Sequence, residues 1–474
     1  MKIQWKRLLS LCLTVMLLVC ALPAIAEQAD NLAEWTVMLY LCGTDLESER
    51  MAATVNLEEI FDVTSNNSVN LLIQTGGAKA WHTQEIIDGW EVASDKLQRY
   101  YYHDESMRLV DEQPLANMAN AQTLTDFINW SVEIAPAKKY ALVLWDHGGG
   151  SYSGIIVDEL HNGSIMQVED LSRALRDSGA TFEAIITDAC LMATLEVSQA
   201  LAPYARYLIA SEETVPGQGG PFTAWLQYLY DTPTCDGAAL GKVYGEAIME
   251  KYADISETLQ ATVTYSTIDL SKIDAVGAAF DTMFTEIRAS LSDPLLFNYF
   301  GYDTQHAQTF DGTLYDLADM AKRSSNSVLS SSTAEAVVNA VNDAVVNNIH
   351  GSQQTGANGL SFYYAPQDSF EQMDHFARVC KSAPYLAFLD MVSMGWTAPE
   401  WVYEKVERLP DVSRADYTVV ADAAIGEDGL PTLSLSSGFN ATATVDVNLF
   451  QYDKKEKAYR VLGTDVNVPG SFED

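Results

Sequence analysis

Two residues in this sequence, His147 and Cys190, are of the types that carry out nucleophilic catalysis together. His147 lies in the run Trp-Asp-His-Gly-Gly-Gly at 145–150, and Cys190 in Thr-Asp-Ala-Cys-Leu-Met at 187–192. A nearby imidazole favours the reactive thiolate of a cysteine and donates a proton to a leaving amine. Glycine after the histidine lets the backbone N–H of Gly148 approach a developing oxyanion. Alone, each motif is more often a core cysteine or a turn, so its position in the fold matters.

Five short apolar runs in the first two-thirds of the chain would position these motifs. Because segments with helical spacing lie between them, the pattern predicts an α/β fold with a mostly parallel sheet and helices on both faces. The carboxyl ends of parallel strands share one edge of the sheet, so His147 and Cys190 are expected to meet there. The five runs are 35–42, 70–74, 140–145, 184–186 and 207–210.

The rest of the chain changes character twice. Residues from about 240 to 395 are mostly helical in pattern, with further strand candidates at 262–268 and 359–364. Beyond a boundary near 400, short alternating runs separated by Gly and Asp predict a small all-β domain over 400–474.

Composition restricts the partners of this protein. The 474 residues include 28 Lys and Arg against 65 Asp and Glu, a net charge of −37. Nucleic acids and anionic membranes attract basic surfaces, so we expect neither as a partner. A strongly acidic protein attracts cationic partners such as Lys- or Arg-bearing peptides, although acidic surfaces also serve solubility.

The amino terminus has the layout of a bacterial-type secretory signal peptide. Basic residues precede an apolar run at 8–22, and Ala-Ile-Ala at 24–26 is a cleavage site, so residues 1–26 are expected to be removed. A lipid anchor through Cys20 is disfavoured because Val19 stands where a small residue is required. We therefore expect a secreted protein that no membrane segment holds.

Four cysteines remain after this cleavage, and they do not form a disulfide framework. They are scattered and include no Cys-x-x-Cys pair, so zinc and redox chemistry are not indicated. One or two pairings stay open. The four are Cys42, Cys190, Cys235 and Cys380.

The combined motifs resemble the clostripain family of cysteine peptidases, which belongs with the caspases, legumains and gingipains. The resemblance covers about residues 33 to 395, and it implies a caspase-like peptidase domain over 27–397. It rests on the runs at 35–47, 145–150, 188–192, 210–217 and 359–366.

The resemblance assigns a role to each site residue. It implies Cys190 as the nucleophile, His147 as the general acid and base, and the amides of Gly148 and Cys190 as the oxyanion hole. Asp188 matches the acidic residue at the base of the primary specificity pocket, which selects Arg or Lys before the scissile bond. A carboxylate suits this task, since it accepts charge-assisted bonds from guanidinium or ammonium. The alternative for Asp188 is a helix cap.

Three further pocket candidates follow the next strand, with a solvated surface as the alternative. They are Ser211, Glu212 and Glu213.

The sequence also departs from the family pattern. Asp146 stands where the family often has Asn, and its charge would favour the imidazolium if the two side chains are close. Some relatives cut themselves after Lys or Arg between the two motifs, but 148–172 contains neither, and Arg173 and Arg176 lie in a predicted helix. We therefore expect one uncut chain and a monomer.

No cofactor is expected, and no metal site, because the histidines lack paired ligand spacing. The resemblance leaves calcium open, because part of the family depends on calcium, although the sequence contains no Asp-x-Asp-x-Asp-Gly loop. An esterase would need Gly-x-Ser-x-Gly, but the run at 150–154 puts Tyr152 at the nucleophile position. The remaining alternative is a catalytically idle relative that acts as an extracellular binding or adhesion protein, against which the intact His147, Cys190 and Asp188 argue.

Overall fold

The computed structural model describes residues 32–409 except 292, 326 and 394, and four strands beyond residue 418. The predicted signal peptide, residues 1–26, lies outside the described residues. The described chain divides into two compact units. The first comprises residues up to Ile273 together with Asp343–Tyr363, and the second comprises Asp274–Asn342 and the chain from Tyr364 onward.

The first unit contains a nine-stranded sheet. Its strands are β1 Ala33–Cys42, β2 Val69–Gly76, β3 Lys96–His103, β4 Ser106–Pro114, β5 Ala137–Trp145, β8 Phe182–Asp188, β9 Ala205–Ala210, β10 Thr264–Asp269 and β13 Val345–His350. Their order is β13-β10-β9-β8-β5-β1-β2-β3-β4. The five strands from β9 to β2 are parallel, and two antiparallel strands extend the sheet at each side. This confirms the predicted α/β class.

Helices and a few short strands connect these strands. The helices of the first unit are α1 Thr44–Ser48, α2 Ala52–Phe61, α3 Thr83–Ile86, α4 Ala121–Ile134, α5 Gly150–Ser153, α6 Val168–Ser178, α7 Leu195–Leu201, α8 Phe222–Asp231, α9 Gly237–Ile255 and α10 Glu257–Gln260. The short strands are β6 Ile155–Asp158 and β7 Ser164–Met166, which form a hairpin, and β14 Ser361–Tyr363.

Local sequence explains these elements. Every residue of β1 from Trp35 to Cys42 is buried, as expected for a central parallel strand with helices on both faces. On α6, Val168, Leu171 and Leu175 follow helical spacing and are buried. Helix α6 ends at Gly179, whose φ of 67° suits a helix C-cap.

The path of the chain determines where a site forms. From β1 the chain runs outward through β2, β3 and β4, then returns as β5 on the other side of β1. The register aligns Leu41 of β1 with Trp145 of β5, and Trp145 with Asp188 of β8. The loops that follow these three strands therefore leave the sheet side by side, at the switch point where α/β proteins place their ligands.

The second unit is mostly helical. Its helices are α11 Ile273–Ser290, α12 Pro294–His306, α13 Leu317–Ser324, α14 Ser331–Ala344, α15 Phe370–Val379, α16 Ala383–Val392 and α17 Glu400–Tyr403, of which α11 begins and α14 ends in the first unit. Its core contains contacting rings of Phe280, Phe284, Tyr385 and Phe388. Strands β11 Thr309–Phe310 and β12 Leu314–Asp316 form a short hairpin.

The tail contributes two antiparallel hairpins, in keeping with the predicted β-rich character. They are formed by β15 Val419–Ile425 with β16 Pro431–Ser437, and by β17 Val447–Asp453 with β18 Ala458–Asp465. The domain boundary near residue 400 stays a prediction.

Candidate active site

His147 follows β5 and bonds a carboxylate that the sequence analysis did not single out. Its Nε2 lies 2.8 Å from Oδ1 of Asp45, in the first turn of α1 directly after β1. The two side chains are 40% and 39% exposed. Partial burial opposes ionisation of Asp45, but the hydrogen bond and positive charge of His147 lower the pKa of this carboxyl. Asp45 is thus an anion that accepts from Nε2–H.

The carboxylate of Asp146 bonds backbone N–H groups and not the imidazole. The condition for its charge to favour the imidazolium, close approach of the two side chains, is therefore not met. Its buried carboxylate accepts the backbone N–H groups of His147 and Val157, both at 2.6 Å. Burial raises the pKa of Asp146 well above its usual value. Asp146 therefore fixes the backbone on either side of the histidine turn, and the anion at the ring is Asp45.

Cys190 lies in the turn after β8, and its sulfur meets the segment that follows β9. The backbone N–H of Val215 donates to Sγ at 3.2 Å. Around the cysteine, Leu191 N–H donates to Glu213 O at 3.2 Å and Ala193 N–H to Ser211 O at 2.9 Å. An N–H donor at the sulfur favours the thiolate.

Cys190 does not lie at the amino terminus of a helix. Helix α7 begins at Leu195, and its cap is Thr194, whose side chain accepts the N–H of Val197. The intervening turn includes Leu191 with φ 66°, a conformation that a helix excludes. The backbone of Val215, and not a helix amino terminus, thus contacts the sulfur, with its N–H at 3.2 Å and its carbonyl oxygen at 3.7 Å from Sγ.

Gly148 packs directly on the nucleophile turn. A Cβ at this position would lie 2.3 Å from the carbonyl oxygen of Cys190 and 3.1 Å from its nitrogen. Only glycine allows this approach. The backbones of the histidine and cysteine motifs are therefore in contact, as the strand register requires.

Three residues close to these groups adopt left-handed backbone conformations although they are not glycine. Thr44 precedes Asp45 with φ 44°, Leu191 follows Cys190 with φ 66°, and Ile156 has φ 63°. The N–H of Ile156 donates to the carbonyl of His147 at 3.1 Å. Such conformations cost about 1 to 3 kcal/mol each and concentrate at functional sites.

Asp188 is buried beneath the segment after β9. It is 4% exposed, and Oδ2 accepts the N–H of Gly220 at 2.7 Å. Burial raises the pKa of Asp188 to about 6, while the Gly220 hydrogen bond and the charge of Lys251 oppose that rise. The alternative of a helix cap is wrong, because Thr194 caps α7.

Residues 214–220, here termed the strap, join Cys190 to Asp188. Val215 contacts the sulfur, and Gly220 contacts the carboxylate. Lys251 holds the strap from α9, since its Nζ donates to the carbonyls of Gln218 and Gly220 and to Glu59 Oε1 at 2.6 Å. Two further side chains add hydrogen bonds to strap carbonyls: Tyr252 bonds Pro216 and Gly219, and Asn56 bonds Gln218 and Gly220.

Ser211 and Glu212 are buried, so the solvated-surface alternative is wrong for both. The Ser211 hydroxyl donates to Glu213 O at 2.8 Å and lies 2.9 Å from Thr264 Oγ1. Glu212 accepts the N–H of Gly359 at 2.8 Å. These contacts support the segment from inside the fold, and a substrate contact for the two residues stays a prediction.

Three further features of the described residues concern their cysteines, their metal-ligating side chains and their helices. Cys42, Cys190, Cys235 and Cys380 form no disulfide bonds, so the pairings left open do not occur in this structure. In the described ranges, no cluster of three or more His, Cys, Asp or Glu side chains has an arrangement that could hold a metal ion. The same ranges contain no helix long and apolar enough to cross a membrane.

The model of the clostripain family matches residues 39–377, which is more than half of the chain. No curated protein sequence gives a match.

Several solved structures share the fold. A secreted C11 cysteine protease from Bacteroides thetaiotaomicron, in complex with an irreversible peptide inhibitor, has a TM-score of 0.56 at 20% identity, over 74% of this chain and 98% of its own. An inactive zymogen C11 protease from Parabacteroides distasonis has a TM-score of 0.51 at 21% identity, over 70% and 92%. At these identities the likeness establishes the fold.

Proposed function

The chain belongs to the clostripain family and is a cysteine-type endopeptidase, and we propose that it is a secreted enzyme that cleaves after Arg or Lys through Cys190 and His147. The observation that carries the assignment of these residues is the contact between Gly148 and the Cys190 backbone. It brings the histidine and the cysteine that follow the adjacent parallel strands β5 and β8 to one point.

The chemistry follows from this arrangement. The Cys190 thiolate attacks the scissile carbonyl carbon, and the oxyanion accepts the N–H groups of Gly148 and Cys190. The carbon–nitrogen bond then breaks, and His147 gives its proton to the leaving amine. Water attacks the resulting thioester, with His147 now removing a proton, and the acid product leaves with Cys190 restored as thiolate.

We assign selection of Arg or Lys to Asp188. It lies two residues before the nucleophile, is buried, and presents a carboxylate next to the strap that contacts the sulfur. A buried carboxylate attracts a cationic side chain more strongly than an exposed one, because the local dielectric is low. A neutral or acidic side chain would leave this group without compensation.

The enzyme acts as one chain in this proposal. Between the two motifs the chain forms α5, the β6–β7 hairpin and α6, and 148–172 contains no Lys or Arg. Arg173 and Arg176 lie within α6 and bond Asp170 and Asp177. Proteases cleave extended segments, so a helical arginine is a poor site for self-processing.

The test is hydrolysis of matched reporter peptides that carry Arg, Lys, Asp or Ala before the scissile bond. Protein beginning at Glu27, kept in reducing buffer with and without calcium, is expected to cleave the Arg and Lys peptides. Cys190→Ala is expected to lose at least about 10³-fold in kcat/KM. Cys235→Ala, at a buried free thiol elsewhere in the unit, is the matched control and should keep full activity.

Other outcomes would revise particular parts. Cleavage after Asp or Ala retains the nucleophile but overturns the role of Asp188. Cutting of the chain between the motifs before activity emerges overturns the single-chain proposal. No turnover on any peptide favours an idle relative that serves as a binding protein.

A further inference from the structure

We infer that Asp45 is a positioning residue for His147, so that the site is a chain of three groups, Cys190, His147 and Asp45. The inference rests on the proposed function and goes beyond it. Its basis is the 2.8 Å contact between Asp45 Oδ1 and His147 Nε2, which follow the neighbouring strands β1 and β5.

The loop that carries Asp45 is built to hold it. Glu47, fully buried in the same short helix, accepts the N–H and hydroxyl of Thr54 and the N–H of His82 at 2.6 to 2.8 Å. Thr44, directly before Asp45, has the left-handed φ of 44°. A surface carboxylate that met the ring by chance would not need a buried anchor two residues away and a strained residue beside it.

This contact decides which imidazole nitrogen reacts. The ionised carboxylate of Asp45 accepts only, so Nε2 bears the hydrogen. In neutral imidazole the lone pair is then on Nδ1, which becomes the nitrogen that takes and returns the catalytic proton. Asp45 also stabilises the imidazolium that must be present when the leaving amine is protonated. No proton is transferred to Asp45 itself.

Other charged groups near the ring do not duplicate this role. The carboxyl group of Asp146 accepts backbone N–H groups, and burial raises its pKa. The carboxylate of Glu47 accepts the N–H groups of Thr54 and His82. Cys190, on the turn after β8, is the reaction partner. Of the carboxylates on these neighbouring elements, Asp45 is the one that bonds the ring.

The expected size of the effect follows from exposure. In serine peptidases, where the corresponding aspartate is buried, its replacement by asparagine lowers kcat about 10⁴-fold. Asp45 and His147 are each about two-fifths exposed, so solvent screens their interaction. We expect Asp45→Asn to lower kcat/KM by roughly 10- to 100-fold, mostly through kcat.

The decisive measurement is the pH profile of kcat/KM on an Arg peptide for wild type, Asp45→Asn, Asp45→Glu and Glu49→Gln. Loss of the carboxylate makes the imidazolium less stable, so the alkaline limb of Asp45→Asn is expected to move to lower pH. Asp45→Glu restores a charge and should recover part of the rate and of the profile. Glu49→Gln, an exposed acid at the end of the same helix, is the matched control and should match wild type.

A second measurement does not depend on turnover. The rate at which iodoacetamide alkylates Cys190 is followed against pH, with circular dichroism to verify folding. A changed pH dependence in Asp45→Asn supports positioning, and wild-type profiles in both assays overturn it. A wild-type enzyme that cleaves no peptide contradicts the proposed function, whereas an active wild type with an unaffected Asp45→Asn contradicts this inference alone.

Discussion

Gly148 lies against the backbone of Cys190 so closely that a Cβ on the glycine would come 2.3 Å from the Cys190 carbonyl oxygen. This contact links the turn after β5 to the turn after β8. The two N–H groups proposed as oxyanion donors, those of Gly148 and Cys190, belong to these two turns.

Gly148→Ala is expected to reduce kcat/KM by 100-fold or more, because the added methyl group pushes the nucleophile turn away and displaces an oxyanion donor. Loss of one such donor costs about 10² to 10³ in kcat. Steady-state kinetics on an Arg peptide measures the loss. Gly301→Ala, in α12 with no atom within 4 Å of the new Cβ, is the control. Equal activity of both variants would contradict the close approach.

Cys190 should be the first of the four cysteines to react with iodoacetamide under native conditions. It is half-buried, whereas Cys42, Cys235 and Cys380 are buried, and burial raises the pKa of Cys42 and Cys235. Thiolate character and access together govern alkylation. Peptide mass spectrometry after limited labelling identifies the modified residue, and early label on any buried cysteine would contradict the prediction.

Cleavage after basic residues should weaken in acid through Asp188. The pKa of this carboxyl in the free enzyme is about 6, so it is ionised above that pH and protonated below it. A protonated carboxyl no longer attracts Arg or Lys, and kcat/KM for these substrates should therefore fall as the pH drops through about 6. In Asp188→Asn, kcat/KM for the Arg peptide should be about 100-fold lower than in wild type, and this acid limb of the pH profile should disappear. If Asp188→Asn keeps the same acid limb, the limb reports the titration of a group other than Asp188.

Lys251→Met should destabilise the first unit by about 2 kcal/mol. The change removes the donor to two strap carbonyls and leaves the mostly buried Glu59 carboxylate without its cation. Lys242→Met is the matched control on α9, because its pair with Glu246 is exposed and 3.7 Å long. Such a pair contributes less than about 1 kcal/mol. Urea unfolding of the two variants compares them, and equal losses would mean that the strap contacts carry no stability.

The sequence predicted the central strands because each is a nearly continuous apolar run, which a strand buried on both faces requires. It missed β3 and β4, the antiparallel pair at one side of the sheet. The residues of β4 are largely exposed and polar, and they therefore have no strand-like apolar pattern. Strand β3 pairs with both β2 and β4 and is largely buried, but it includes polar Gln98 and Arg99 and therefore forms no continuous apolar run.

Sequence reasoning singled out those candidate site residues that follow the ends of strands. His147, Cys190 and Gly148 follow directly from two strands, whereas Asp45 meets the imidazole across 102 positions of sequence. That contact depends on the register between β1 and β5, which composition does not encode. Ser211 and Glu212 were given a solvated alternative because polar residues after a strand usually face water, but hydrogen bonds to Thr264 and Gly359 compensate their burial.

The left-handed conformations of Thr44, Ile156 and Leu191 have a consequence for the evolution of this enzyme. Glycine adopts such conformations without strain, so a single substitution at any of the three would relieve stress in the folded state. The same substitution would release the backbone next to Asp45, His147 or Cys190. Truncation of the buried Ile156 or Leu191 side chain would cost about 2 to 5 kcal/mol in lost packing, which exceeds the strain relieved, so selection for heat resistance and selection for turnover both retain these residues.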